Sequence, residues 1–337
     1  MRCWGWFIRL GLFFVLAVGV VARTEPARAQ VQVSPTGAPV GGQLAPGQLQ
    51  ASVAAATQNP AAFPPKPAGP TDDASAFVRF FRDGEWYFSW GFNKENWSRT
   101  NISVSQPGLG NNFTLYDVQG HDEAGGFGQD LFDGDFFGPQ YNIRVGRFFT
   151  DTIGVEFSLD HTKYQTTLNQ VVPLRGSIGG VPANGNYQLT SQAFNEELHN
   201  GANHVMIDGV YRYPLIGKTN ETLSVALLAK AGVGLMIPHT SDTIFGNPVD
   251  VGSKSLGTSF GLTNGWWQLN GWTTGAELGF RVVLYKPVYL EVSDKVAYSY
   301  FWDLPAYLGT IRQSLVMNEA IVSIGFTYDG TSPSPWH

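Results

Sequence analysis

The side chains of this 337-residue chain that could do chemistry fall into two sets. The first lies in polar, turn-rich stretches: Asp160 beside His161, then Glu196, Glu197, His199 and His204 close together. Two imidazoles and a carboxylate are ligand types that zinc accepts. A histidine with an acid at a membrane rim is also what action on lipid would need. Neither H-E-x-x-H nor G-x-S-x-G occurs, however, and isolated titratable residues without such a frame are ordinary loop polarity. Asp122, Glu123, Asp130, Asp133 and Asp135 offer oxygen ligands of the kind calcium takes, but the closing glutamate of an EF-hand loop is missing. These residues lead us to expect no catalytic group, no metal and no cofactor.

The second set is more regular. Arg144, Glu156, Asp160, Asp208, Arg212, Lys230, Glu277, Arg281, Glu291, Lys295 and Glu319 all sit in stretches where polar and apolar residues alternate. Side chains in a strand point to opposite faces with period two, so each stretch has one apolar and one polar face. In Tyr141–Lys163, Tyr141, Ile143, Val145 and Phe149 share one parity and Arg144 the other. After a break at Thr150-Asp151-Thr152, Ile153, Val155, Phe157 and Leu159 alternate with Glu156 and Asp160. That is a β-hairpin. A polar face carrying so many charges of both signs suits a barrel lumen. Charges in so narrow a space must be paired, so the expectation is a salt-bridged, largely closed interior.

The elements that must position these charges can be followed along the chain. The first strand is Gly84–Asn93, with Trp86, Phe88, Trp90 and Phe92 on one face. The hairpin supplies the second and third strands. The fourth spans His204–Tyr213, the fifth Thr222–Gly234, the sixth Gly271–Leu284, the seventh Val288–Tyr300 and the eighth Asn318–Tyr328. Asp294 falls on the lipid-side parity of the seventh, which a bulge or a place near the rim would explain. The connections 150–152, 214–221 and 285–287 are short and the others long. Even strand number, short periplasmic turns and long external loops are the pattern of an outer-membrane barrel. We therefore expect an all-β, antiparallel up-and-down transmembrane barrel of eight strands. Ten strands would result if Phe113–Val118 and one further segment joined. Trp86, Trp90, Trp272 and Tyr328, with Trp266-Trp267, are expected in the interfacial aromatic girdles.

The flanking segments set the compartment. Arg2 and Arg9, the apolar run Gly11–Ala22 and Ala27-Arg28-Ala29 describe a secretory signal peptide over residues 1–29. That run is too short for a bilayer span, and no later run reaches 18 apolar residues. Cys3 lies before the apolar run, so disulfides, thiolate metal sites and a cysteine nucleophile are excluded from the processed chain. Residues 30–76 are rich in Pro, Ala, Gln and Gly with almost no charge, the composition of a disordered periplasmic linker. Phe77–Phe81 is a short element that could seal the barrel mouth, the barrel runs over 77–328, and 329–337 is a tail. A net charge of -6 argues against nucleic acid.

The segments YFSWGFN (Tyr87–Asn93), FTLYDVQGHD (Phe113–Asp122) and YNIRVGRFFTDTIGVEFSLDHTKY (Tyr141–Tyr164) resemble a group of small OmpA/OmpX-like outer-membrane barrels, mostly uncharacterised. The likeness continues less closely through Glu197–Val205 and the last two hairpins. It implies a barrel in the bacterial outer membrane, surrounded by its lipids and inserted by the barrel-assembly machinery, and it carries no catalytic residue. The nine residues after Tyr328, ending Pro335-Trp336-His337, depart from the usual barrel ending. The function expected is structural or surface-interactive with an unknown surface ligand. A lipid-modifying enzyme and a narrow channel are the alternatives.

Overall fold

The computed structural model describes residues 84–122, 140–198, 201–219, 221–252, 260–262 and 265–329. The expected signal peptide, linker, Phe77–Phe81 element and C-terminal tail beyond Asp329 lie outside the described residues, as do Glu123, Asp130, Asp133, Asp135 and His199.

Strands run in chain order β1 (Glu85–Trp97), β2 (Thr100–Gln106), β3 (Asn111–Val118), β4 (Gly120–His121), β5 (Tyr141–Phe148) and β6 (Ile153–His161). Then come β7 (Gln165–Thr166), β8 (Val171–Ile178), β9 (Val181–Gln188), β10 (Phe194–Glu197), β11 (Ala202–Ile216) and β12 (Ser224–Pro238). The chain continues through β13 (Ser241–Ile244), β14 (Asn247–Asp250), β15 (Phe260–Gly261), β16 (Trp267–Gln268), β17 (Gly271–Tyr285), β18 (Val288–Ala306) and β19 (Gly309–Asp329).

Eight of these close a ring. The order is β1-β5-β6-β11-β12-β17-β18-β19, and β19 pairs back onto β1 from Glu85↔Asp329 to Trp97↔Met317. Every neighbour in the ring is antiparallel. Closure leaves no edge, and that is what lets strands cross a bilayer with every backbone group satisfied. The faces are inverted relative to a water-soluble protein: outward Val233 is 67% exposed, Leu278 50% and Phe326 49%, whereas inward Asp160 and Glu319 are 0% exposed. An apolar outer band around a charged interior belongs in lipid. The protein is an outer-membrane β-barrel.

The ring strands are longer than the alternation alone suggested. β11 continues through Pro214 to Ile216, so the turn lies after it and not at Pro214–Asn220. Beyond Tyr211 β11 has lost β6 as a neighbour, and there it is an edge on which proline is tolerated. Residues 301–317, expected to be a loop, continue β18 and β19 into one tall hairpin whose inward residues Phe301, Leu304, Ile311 and Leu315 are all buried. Phe113–Val118 does lie in a strand, β3, but it pairs with β2 and β8 above the ring and adds nothing to it. The register runs unbroken through Asp294, so no bulge explains it; outward-facing Asn318 on the next strand donates a hydrogen bond to its carboxylate.

The external connections fold into a cap. β2 pairs with the tall hairpin at Thr310↔Ser105, and β3, β8 and β9 extend that wall. A second, five-stranded sheet in the order β14-β13-β10-β7-β4 is built from the connections after β3, β6 and β12. Phe194, Leu198 and Ile244 from this small sheet share one buried cluster with Ile102, Leu115, Phe301 and Ile311 of the wall. The cap therefore has a hydrophobic core, and it is continuous with the buried Trp97, Met236 and Met317 at the top of the barrel interior.

Candidate functional site

The lumen is built in layers from the periplasmic end upward. Inward-facing Glu85, at the start of β1, meets Arg212 of β11 in a two-pronged ion pair with Nη1–Oε1 2.7 Å and Nη2–Oε2 2.9 Å. The Arg212 guanidinium also lies 3.7 Å from the Phe148 ring centre. Above it, Arg281 is sandwiched between the rings of Tyr87 at 4.3 Å and Tyr289 at 4.0 Å. Both tyrosines lie flat because each faces a glycine across its strand pair, Tyr87 over Gly146 and Tyr289 over Gly325; a Cβ on either glycine would stand inside the ring. Cation–π contact holds this layer together.

Next comes a continuous ionic layer. Lys230 Nζ touches three carboxylates, Glu291 at 2.7 Å, Glu277 at 3.0 Å and Glu156 at 3.1 Å. Arg281 shares Glu291 at 2.8 Å, and Arg144 bridges Glu156 at 3.3 Å, Glu277 at 3.6 Å and Asp160. Asp160 in turn takes Lys295 at 2.5 Å. Residues from β5, β6, β12, β17 and β18 are thus tied through one chain of contacts. Asp208 stands beside it, accepting from Ser158 at 2.7 Å. Glu319 lies across from Lys295 on one side and Glu95 on the other and accepts no hydrogen bond. Glu95 takes bonds from Asn93 and Gln140.

Of the lumenal charges read from the sequence, the structure links Arg144, Glu156, Asp160, Lys230, Glu277, Arg281, Glu291 and Lys295, and sets Asp208, Arg212 and Glu319 outside that chain. Glu85 and Glu95 were missed. Both fall on the inward parity of Tyr87, Ser89 and Asn93, so extending that parity one step each way would have found them.

Above Glu95 the interior turns apolar. Trp97, Met236, Ala297, Leu315 and Met317 are all buried in one cluster, with the Trp97 indole donating to the Lys163 carbonyl at 2.8 Å. The described cavity at the opposite end, beside Arg212, Ser224 and Arg281, has a volume of about 10 Å³, room for roughly one water.

The histidines and acids of the first set are dispersed. His161 stacks on Tyr141 at 4.8 Å and is held by the Asn203 amide oxygen at 2.7 Å. His204 is fully buried against the Thr273 hydroxyl at 3.2 Å. Glu196 sits in the cap with Gln313, and Glu197 bonds to Gln165 and Asn195. Asp122 pairs with Lys94 at 3.4 Å. Among the aromatics, Trp86 and Tyr328 face each other at the periplasmic end, Trp90 packs on Phe92 at 4.8 Å, and Trp272 lies 5.5 Å from Tyr298. Trp266 is not in a girdle: it stacks at 3.8 Å on buried His239, whose Nε2 meets Asp250 at 2.8 Å, and Trp267 pairs within the short β15–β16 ladder. An aromatic pair beside a turn carries the same sequence signal in either place.

No family model and no curated protein matches the sequence. Solved structures with a similar trace include Ail, the attachment invasion locus protein of Yersinia pestis, in complex with the heparin analogue sucrose octasulfate. It is 14% identical over 73% of this chain and 99% of that one, with a TM-score of 0.26. OprG from Pseudomonas aeruginosa is 13% identical over 73% and 97%, at 0.32, and the protease OmpT from Escherichia coli 6% over 73% and 97%, at 0.29. At such scores none of them bears on this chain, and the barrel rests on its own closed ring of strands.

Proposed function

We propose that this protein is a closed, non-conducting barrel whose work is structural or surface-interactive and is carried by the folded cap. The observation behind this reading is a double seal. The lumen is filled by a connected ion-pair network, and the apolar layer of Trp97, Met236 and Met317 lies above it. A solute would have to displace both. An enzyme is disfavoured because His161 is held by an amide and His204 by a hydroxyl, without the nucleophile–base–orienter geometry a catalytic site requires. Its partners in this reading are outer-membrane lipids around the apolar band, the barrel-assembly machinery during insertion, and an external ligand of the cap.

The test is planar-bilayer recording on the refolded protein, with heat-modifiable gel migration as proof of folding. Folded and electrically silent protein is the expected result. Steady discrete openings whose selectivity changes in Lys230→Gln would establish a channel instead. Hydrolysis or acyl transfer on outer-membrane lipid that is lost in His161→Ala or His204→Ala would establish an enzyme.

A further inference from the structure

The inward face of the small sheet is apolar except at one place. Glu196 on β10 and Asp242 on β13 are direct cross-strand partners and therefore point the same way, flanked by buried Phe194, Leu198 and Ile244. Their side chains are buried, Glu196 at 0% and Asp242 at 3% exposure. Like charges directly opposite on neighbouring strands repel, and buried carboxylates ordinarily carry a basic partner. Among the described residues, neither makes a salt bridge.

The surroundings are a set of idle oxygens. Both Asp242 oxygens, Glu196 Oε2, Gln313 Oε1, the Tyr164 hydroxyl and the Thr166 hydroxyl are all buried without a hydrogen-bond partner. Gln313 belongs to β19 of the wall and donates from Nε2 to Glu196 Oε1 at 2.6 Å, so it reaches the pair from the facing sheet. The Glu197 backbone amide lies within reach of the Asp242 carboxylate, and the Tyr164 and Thr166 hydroxyls within reach of each other, so what these groups lack is a well-aligned partner. Natural folds leave few buried polar atoms unsatisfied, and a cluster of them on one spot marks an absent partner. A positive group that accepts oxygen donors would satisfy all of them at once. Among the described residues the set holds oxygen donors and no imidazole or thiolate, and that chemistry suits a hard cation.

We propose that Glu196 and Asp242, with oxygens of Gln313, Tyr164 and Thr166, bind a divalent cation, calcium foremost, that braces the small sheet of the cap against β19. Calcium takes six to eight oxygen ligands and tolerates irregular geometry. Magnesium prefers to keep several waters, which so enclosed a site disfavours.

The experiment uses the refolded full-length protein in detergent, stripped with EDTA and titrated with terbium, whose luminescence is sensitised by a nearby aromatic such as Tyr164. The expected result is a saturable signal that calcium competes away and that is lost in both Asp242→Asn and Glu196→Gln. Heat-modifiable migration shows that the variants remain folded. Wild-type protein alone also reads the proposal, since calcium should slow protease cleavage of the cap relative to EDTA. No saturable terbium signal and no calcium effect on cleavage would overturn it and leave a carboxyl pair that shares a proton. A signal surviving both substitutions would overturn it too, by moving the ion to surface carboxylates.

Discussion

Replacing Lys230 by Met removes the centre of the lumenal network while keeping a side chain of similar length. The ammonium meets Glu291, Glu277 and Glu156 at 2.7, 3.0 and 3.1 Å. At an effective dielectric of about 20, each contact near 3 Å is worth about 5 kcal/mol of attraction, set against a desolvation cost of several kcal/mol per ion. Truncating one partner of a buried pair therefore costs about 3–5 kcal/mol, chiefly because the survivors are left uncompensated. Here they are not wholly so. Glu291 keeps Arg281 at 2.8 Å, and Glu156 and Glu277 keep Arg144 at 3.3 and 3.6 Å. The lower end applies, about 3 kcal/mol. The assay is urea unfolding of the refolded barrel followed by tryptophan fluorescence. Lys218→Met is the control, since its pair with Glu221 spans 3.9 Å in the open and is worth under about 1 kcal/mol. A loss for Lys230→Met no larger than the control's would mean that Lys230 is already solvated, and the closed-lumen argument would fail with it.

Three further outcomes follow from the same geometry. Gly146→Val and Gly325→Val each drive a Cβ into the Tyr87 or Tyr289 ring and should cost about 1–3 kcal/mol by overpacking, read as a lower urea midpoint. Gly185→Val in β9, where nothing stands within 4 Å, should not. Trp97→Ala removes the largest side chain of the apolar layer and should destabilise by about 3–5 kcal/mol; an unchanged midpoint would show that the layer is not packed. In EDTA, the cap should lose protease resistance as pH rises. The folded Glu196 carboxyl titrates near 8 against 4.5 for its ordinary value, so its stabilisation is complete below 4.5 and is lost as pH climbs through 8. Glu196→Gln should flatten that profile over pH 5–8; an unchanged slope would assign the dependence to another group.

The alternation of single residues was enough to identify the barrel. Each strand writes its two faces locally, residue by residue, so Val145, Phe157, Leu278 and Val322 could be placed against lipid, and Arg144, Glu156 and Lys230 inside, without knowing any neighbour. Short turns and even parity then favoured a ring of eight, and the pairing of Phe113–Val118 with β2 and β8 removed the ten-stranded alternative. Which charges meet was not legible. Arg212 selects Glu85, 127 positions away, and Lys295 selects Asp160, 135 positions away, because ring closure and strand stagger bring them to one level. The cap was hidden for a related reason. Its strands are as short as Gln165–Thr166 and Gly120–His121, too brief to show a period, and their pairings join segments that look like polar loops. Only tertiary structure pays the loop-closure entropy that makes Glu196 face Asp242 and Gln313, and only there do three unremarkable polar residues become one buried cluster of oxygens.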